Sequence, residues 1–364
     1  MFYQTYPYQN IYHFCLKIFA GYGFSVSESR MITDVLLCAD LFGIESHGIQ
    51  RLIRYHHEIG SGMVKVDGSP VTAHETSVSA VIDARKAMGQ ITGVNATNLA
   101  IRKAKENGIG MVAVRNSNHF GIAGFFANMA AQEDLLGICM TNTEAIAVPT
   151  FGKKAMLGTS PIALAFPAEP VTFLYDASTT VVPRGKLEVY HKNEKPIPHG
   201  WAIDADGQPS QNAGEILSNI IGKLGGGIAP LGGSEELHGG HKGYGLGIIV
   251  DLFTGILSSG MTSNHVNVAQ GQTDIAHFFM AVDYGLFGKK ATIKEHFSAF
   301  LRELRESPKA GGQQRIYIHG EKELESKKQK LSKGIPINEK TLGEMRMIAE
   351  YHSMDIGQYL KKES

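Results

Sequence analysis

Apolar positions recur at helical spacing along the first seventy residues. Ser25 stands three positions before Glu28, the spacing of a capping box, and Ile32, Val35, Leu36 and Ala39 repeat behind it every three to four residues. A second helical start is expected at Ser46, running through Arg51, Leu52, Ile53, Arg54 and Tyr55. From about Ser77 the pattern changes to short β-branched runs that alternate with helical stretches. Residues 78–82, 111–114 and 137–141 read as strands, with helices over 93–107 and 121–134 between them. Residues 162–166, 173–175 and 278–282 are further strands, and 246–258 is an apolar helix. Between Lys192 and Gly233 the chain turns to Pro, Gly, Asn and Asp, which predicts a long irregular excursion. From Lys294 charge-laden helical patterns return, ending in the polar Lys361-Lys362-Glu363-Ser364. No internal repeat is visible.

The alternation predicts an α/β layer with some parallel strands. The expected organisation is an N-terminal helical region (1–75), a central α/β domain (76–290) and a C-terminal helical region (291–364) that packs with the N-terminal one.

Composition narrows the function. In 364 residues, 43% are hydrophobic and 19% charged, enough apolar material for a sizeable core and too much for a disordered chain. Lys plus Arg equal Asp plus Glu at 35 each, so no basic field exists to attract nucleic acid or an anionic membrane. The longest apolar stretch, around 246–257, carries Asp251 and is too short for a bilayer span. The 42 glycines suit ligand sites built from loops. Cys15, Cys38 and Cys139 have no paired spacing and read as reduced thiols of a cytosolic protein. The first residues lack a basic n-region and an apolar h-region, so a cytoplasmic location is expected.

Several segments carry chemistry. Gly108-Ile109-Gly110-Met111-Val112-Ala113 spells G-x-G-x-x-A, but it follows a helix and enters a strand, the reverse of a dinucleotide fingerprint. It reads as a helix C-cap, and no Rossmann signature is present. In Glu45-Ser46-His47-Gly48-Ile49-Gln50-Arg51, a helix capped by Ser46 would project His47 and Arg51 from one face. An imidazole that titrates near neutrality beside a guanidinium fork is the minimum kit for a 2-hydroxy acid: one takes the hydroxyl proton and the other grips the carboxylate. A capped surface helix with an incidental histidine fits the same letters.

Asn116-Ser117-Asn118-His119-Phe120-Gly121-Ile122-Ala123-Gly124 follows a strand and opens a helix, a place for an anionic group or simply a turn. Glycines at 232, 233, 239, 240, 243 and 245 surround His241-Lys242 before the apolar helix, where Lys242 could hold a phosphate or carboxylate, or lie solvated in a loop. The 15 histidines include no H-E-x-x-H and no zinc-like Cys/His spacing, so no metal site is assigned. A G-x-S-x-G elbow is also lacking.

Together these segments resemble the type 2 malate/L-lactate dehydrogenase family, which is unrelated in fold to the Rossmann enzymes of the same names. The resemblance runs from about Ala39 to Ile356. It rests on the stretches at 45–52 and 116–124, on Gly158-Thr159-Ser160-Pro161-Ile162-Ala163 and Gly240-His241-Lys242-Gly243-Tyr244-Gly245, and on 277–283 and 318–321. It implies an α/β fold in which a non-Rossmann mixed sheet holds a nicotinamide cofactor, NAD or NADP, flanked by helices from both termini. It also implies a homodimer that reversibly reduces a small 2-oxo acid.

By the same resemblance His47, with Ser46 beside it, is the acid/base, and His119 is the alternative. Arg51 would hold the substrate carboxylate and Thr159 would contact substrate. His119, Phe120, Gly121, Ile122, Ala123, Asp176, Ala177, Ser178, His241, Lys242, His319, Gly320 and Glu321 would line the cofactor. The family usually shows Asp-Met-Ala-Thr-Ser where this chain has Asp176-Ala177-Ser178-Thr179-Thr180. Lys186 stands where some members carry an acidic partner for the histidine. Residues 182–190, 200–203 and 318–322 resemble the malate dehydrogenase subgroup, and Arg54, Arg184 and Lys242 are candidates for a second substrate carboxylate. Lactate, sulfolactate, ureidoglycolate or a diketogulonate are the alternative substrates, and a nucleotide-binding protein without turnover is the rival of another class.

Overall fold

The computed structural model describes residues 3–268, 271 and 273–360, so the polar segment 361–364 lies outside it. The chain begins β1 (Tyr3–Tyr6), α1 (Tyr8–Gly21), α2 (Val26–Leu41), α3 (Leu52–Gly60), β2 (Val71–Glu75), β3 (Ser79–Asp83), α4 (Gly89–Asn107) and β4 (Ile109–Ser117). It continues α5 (Ala123–Gln132), β5 (Leu136–Thr141), β6 (Ile162–Phe166), β7 (Phe173–Ala177), α6 (Arg184–Lys192), β8 (Ala202–Ile203), β9 (Pro209–Ser210), α7 (Ala213–Gly222) and β10 (Gly227–Ile228). It closes with α8 (Gly240–Asp251), β11 (Ile275–Val282), α9 (Lys290–Glu306), α10 (Glu321–Lys333), β12 (Ile335–Asn338) and α11 (Glu339–Tyr351).

Seven strands form a mixed sheet in the order β2-β3-β4-β11-β5-β6-β7. Only β3 and β4 pair in parallel, and β11 inserts antiparallel between β4 and β5. This is an α/β fold on a mixed sheet without a Rossmann unit. Helices α4 and α5 lie on one face of the sheet, and small residues let them approach. A Cβ at Gly110 would strike the Ala100 carbonyl, and one at Gly137 the Ala127 carbonyl. Ala96, Ala100, Ala104, Ala123, Ala127 and Ala130 fill the layer with Phe126 and Phe279.

A second core joins α1, α2 and α11, with Phe14, Ile18, Leu36, Met345 and Ile348 buried together, and β1 pairs antiparallel with β12. The capping box before α2 is present: the Ser25 hydroxyl accepts from the Glu28 amide, and the Ser25 amide donates to the Glu28 carboxylate.

Three expectations need correction. The stretch between Lys192 and Gly233 is not irregular. It carries the three-stranded sheet β10-β8-β9 and α7, and these share a small core with α6 through Leu187, Ile197, Ala202, Ile216 and Ile228. Its strands are two residues long, too short to leave a periodic trace. The apolar helix expected over 246–258 is α8 followed by a π-helical turn, Leu252–Ile256, where the Thr254 hydroxyl bonds the Val250 carbonyl at 2.7 Å.

Ser46 does not cap a helix. Glu45–His47 and Ile49–Arg51 are separate 3₁₀ turns broken at Gly48, and α3 begins only at Leu52. Among the described residues no helix is long and apolar enough to cross a membrane.

Candidate active site

Two histidines far apart in sequence meet at the entrance to α3. The rings of His47 and His119 stack with centroids 5.5 Å apart and planes 26° from parallel. Each has its Nδ1 committed: that of His47 lies 2.9 Å from the Ser46 hydroxyl, and that of His119 lies 2.8 Å from the Tyr55 hydroxyl. The Nε2 atoms make no hydrogen bond among the described residues. Burial pushes the His47 imidazole down to about 4, with the positive charges of Arg51 and Arg54 adding to the effect. His119 is held well below the usual histidine range, first by burial and then by Arg54, His47 and Arg51. Both rings are therefore neutral at ordinary pH. A neutral imidazole with its Nδ1–H donated to a hydroxyl presents a lone pair on Nε2, the form that accepts a proton.

Arg51 supplies the complementary charge. Its Nε donates to the Ser46 carbonyl, and among the described residues it has no carboxylate partner. Its neighbours differ. Arg54 pairs with Glu58 at 2.6 Å, and Arg184 of α6 pairs with Glu188 at 3.0 Å. Burial lowers the Arg51 pKa, and among the surrounding charges Arg54 and Arg184 lower it further while Glu188 opposes them. A partly buried guanidinium without a counter-ion, its terminal nitrogens free, is ready for a bidentate anion.

The loop from β4 to α5 carries His119 and continues through Phe120. Phe120 stacks on His277 at 4.3 Å with planes 8° apart, and His277 is tied to the Thr141 hydroxyl at 2.7 Å. Burial pushes that imidazole down to about 3, so it buttresses the loop as a neutral ring. Gly121 takes φ +94°. The amides of Phe120, Gly121 and Ile122 donate to no acceptor among the described residues, although these residues are buried. Unused amides in a buried loop are what a bound polar ligand would satisfy.

Two residues past Ile122 an amide is taken: Gly124 donates to the Asp176 carboxylate at 2.7 Å, which brings the end of β7 to the start of α5. Burial raises that carboxyl to about 6 despite the Gly124 bond, so Asp176 occupies the helix N-terminus where an outside anion was expected.

The remaining residues fall into two groups. The Leu174 amide bonds the His319 carbonyl at 3.2 Å, and the exposed His319 ring lies 5.3 Å from that of Tyr175, so 319–321 flank β7 beside Asp176, Ala177 and Ser178. Gly320 takes φ +98° there. Glu321 faces inward, accepting from Arg305 at 2.5 Å, Arg315 at 2.8 Å and the Ile318 amide at 3.1 Å. Burial works against its charge, but these bonds outweigh it and hold the carboxyl below its usual range. Its side chain is thus occupied within the protein. In the second group, the Thr159 carbonyl accepts from the Thr179 amide at 2.9 Å, the Thr179 carbonyl accepts from Leu231, and Leu231 packs against Gly243 of α8. His241 and Lys242 stand exposed at the start of that helix.

Tyr55, Asp40 and Gln90 were missed by the sequence reading. Tyr55 lies four residues after Arg51 and could have been found by that spacing. Gln90 is fully buried at the start of α4, and its side-chain amide finds no hydrogen-bond partner among the described residues. Asp40 gave no signal, since it ends a helix whose periodicity explains it equally well.

Comparison with known proteins gives a consistent picture. The family model described as malate/L-lactate dehydrogenase matches residues 6–346. The malate dehydrogenase of Pyrococcus abyssi is 42% identical over 348 residues, covering 95% of this chain and 94% of that protein. The malate/(S)-sulfolactate dehydrogenase of Methanothermus fervidus is 33% identical, with 94% and 96% covered. The crystal structure of malate dehydrogenase from Entamoeba histolytica superposes with a TM-score of 0.93 at 34% identity, covering 97% of this chain and 99% of that one.

Proposed function

The chain belongs to the malate/L-lactate dehydrogenase family, and from that premise we propose that it interconverts L-malate and oxaloacetate with NAD or NADP. The observation that carries this reading is the guanidinium of Arg51, without a carboxylate partner among the described residues, beside two neutral imidazoles. The unused amides at 120–122 fit a nicotinamide dinucleotide, with Asp176, Ala177, Ser178, His319 and the Gly320 backbone flanking it and His241 and Lys242 at the exposed end. When bound, the nicotinamide exchanges a hydride with C2 of the substrate. The protein's part is positioning and proton transfer. Arg51 fixes the C1 carboxylate so that one face of C2 is presented. In the oxidation direction, His47 Nε2 accepts the C2 hydroxyl proton while Nδ1–H donates to Ser46. A substrate carboxylate against Arg51 offsets the positive field that depresses His47, so its basicity rises on binding.

Of the cations considered for a second carboxylate, Arg54 and Arg184 lie in the electrostatic field of Arg51, whereas Lys242 is exposed at the start of α8. Arg184 is the better reading, because its partner Glu188 is exposed and releases it at little cost. A guanidinium does not separate carboxylate from sulfonate, and a relative acts on both malate and sulfolactate by name. The test is a panel of oxaloacetate, 3-sulfopyruvate, pyruvate and diketogulonate, each with NADH and NADPH, followed at 340 nm. We expect oxaloacetate to give the highest kcat/KM. The Arg184→Ala variant should lose at least ten-fold on oxaloacetate and little on pyruvate, a small roughly 1.4 kcal/mol effect by the scale of one charged hydrogen bond. Absence of turnover with every oxo acid would leave a nucleotide-binding protein instead.

A homodimer and a cytoplasmic location complete the reading. Ile248, Ile249, Leu252, Ile256 and Leu257 expose 46%, 41%, 45%, 55% and 52% of their surfaces along α8 and the π-turn, an apolar stripe suited to a second copy. Light scattering should return twice the chain mass, and Ile256→Asp should return one. The three free cysteines suit a reducing compartment.

A further inference from the structure

Asp40, near the end of α2, is 2% exposed and makes no ion pair among the described residues. Its Oδ2 accepts from the Ile49 amide at 2.7 Å, nine residues ahead. A Cβ at Gly48 would collide with the same carboxyl, so only glycine lets the chain press against it. Lys330 of α10 donates to the Asp40 carbonyl at 2.7 Å and fixes the residue from the other side. Burying a carboxyl for a single amide bond is a net cost to folding, and an apolar side chain of similar size would serve the core better. The bond must therefore be valued for what it holds.

It anchors a segment whose own side-chain ties are local, from the Gln50 amide to the Glu45 carbonyl and from Arg51 Nε to the Ser46 carbonyl. The turns Glu45–His47 and Ile49–Arg51 have no side-chain caps, and short 3₁₀ turns are weak. Their junction is where Asp40 grips. Ser46 and His47 hang before that point and Arg51 after it. We propose that Asp40 is a positioning residue for the reaction, fastening the Ile49 amide so that His47 and Arg51 face one substrate together. The proposal rests on the roles given to those two residues above.

Protonation of Asp40 loosens the fastening, because an ionised acceptor makes the stronger bond. Burial pushes this carboxyl up to about 7, against the pull of the Ile49 amide and Lys330, and with Glu45 adding to the rise. The other titratable groups facing it are Cys15 from α1 and Cys38 from its own helix. As pH falls through about 7 the grip on the substrate carboxylate should weaken.

The experiment compares wild type, Asp40→Ala and Asp40→Asn in kcat and KM for oxaloacetate from pH 6 to 8.5, with the NADH dissociation constant read by fluorescence quenching. Asp40→Ala is expected to raise KM at least ten-fold and leave NADH binding within two-fold. Asp40→Asn keeps an acceptor oxygen, so its KM should rise only a few-fold and lose the part of the wild-type pH dependence centred near 7. Should the alanine variant fail to fold, the asparagine pH profile decides. An active wild type together with an unimpaired Asp40→Ala, or an Asp40→Asn that keeps the wild-type profile, overturns the proposal alone. A wild type inactive on every 2-oxo acid overturns the functional reading and this proposal with it.

Discussion

Replacing His47 with asparagine is expected to lower kcat by roughly 10²–10⁴, the span usual for loss of a general acid/base. The NADH dissociation constant should stay within about two-fold, since the residue is assigned to the proton and not to the dinucleotide. His119 is the competitor, and the geometry favours His47 for two reasons. Its imidazole is pushed down to about 4 by burial with Arg51 of its own segment next in effect, whereas burial holds the His119 ring well below the ordinary range. It also shares its turn with Ser46 and, through the Ser46 carbonyl, with Arg51, so proton acceptor and carboxylate clamp are braced by one piece of backbone. His119, held by Tyr55 at 2.8 Å, is better placed as a wall that sets the orientation of the stack. An active His47→Asn beside an inactive His119→Asn would exchange the two roles. Steady-state rates at 340 nm, in both reaction directions, decide between them.

Arg51→Ala should be nearly as severe, but in a different constant. A guanidinium that has no carboxylate partner among the described residues is open to one from the substrate, and the loss of one partner from a desolvated charge pair costs about 2–5 kcal/mol. The oxaloacetate KM is therefore expected to rise by roughly 10² or more, with a smaller fall in kcat from loosened orientation. Arg51→Lys should recover only part of this, because an ammonium cannot fork onto two oxygens and would lose the Nε bond to Ser46. An unchanged KM in the alanine variant would remove Arg51 from the substrate site.

Legibility in the sequence followed the range of the forces involved. The capping box of Ser25 and Glu28 and the strand at Ile162–Phe166 are local patterns, and they appear where expected. Gly108 takes φ +86° at the end of α4, so the letters G-x-G-x-x-A mark a helix terminus and not a phosphate loop. The resemblance to a dehydrogenase family was carried by short motifs, and the comparisons bear that family out.

What could not be read depends on partners far along the chain. The helix expected at Ser46 is broken into two turns by the carboxyl of Asp40 pressing on Gly48. Tyr55 and His119 are 64 residues apart, and no periodicity connects them. The resemblance assigns Glu321 to the cofactor, yet Arg305 and Arg315 take up its carboxylate from outside that motif. The α6–α7 unit was hidden because two-residue strands leave no alternation to detect.

The place of β11 bears on how the molecule comes into being. Its two neighbours are complete by residue 141, while β11 itself starts at residue 275. A nascent chain leaving the ribosome must therefore carry two raw sheet margins for more than a hundred further residues of synthesis. Until that late strand slides home, the loop bearing His119 lacks the His277 ring beneath Phe120, so assembly of the barrier-lowering machinery is tied to the closing stitch of the sheet.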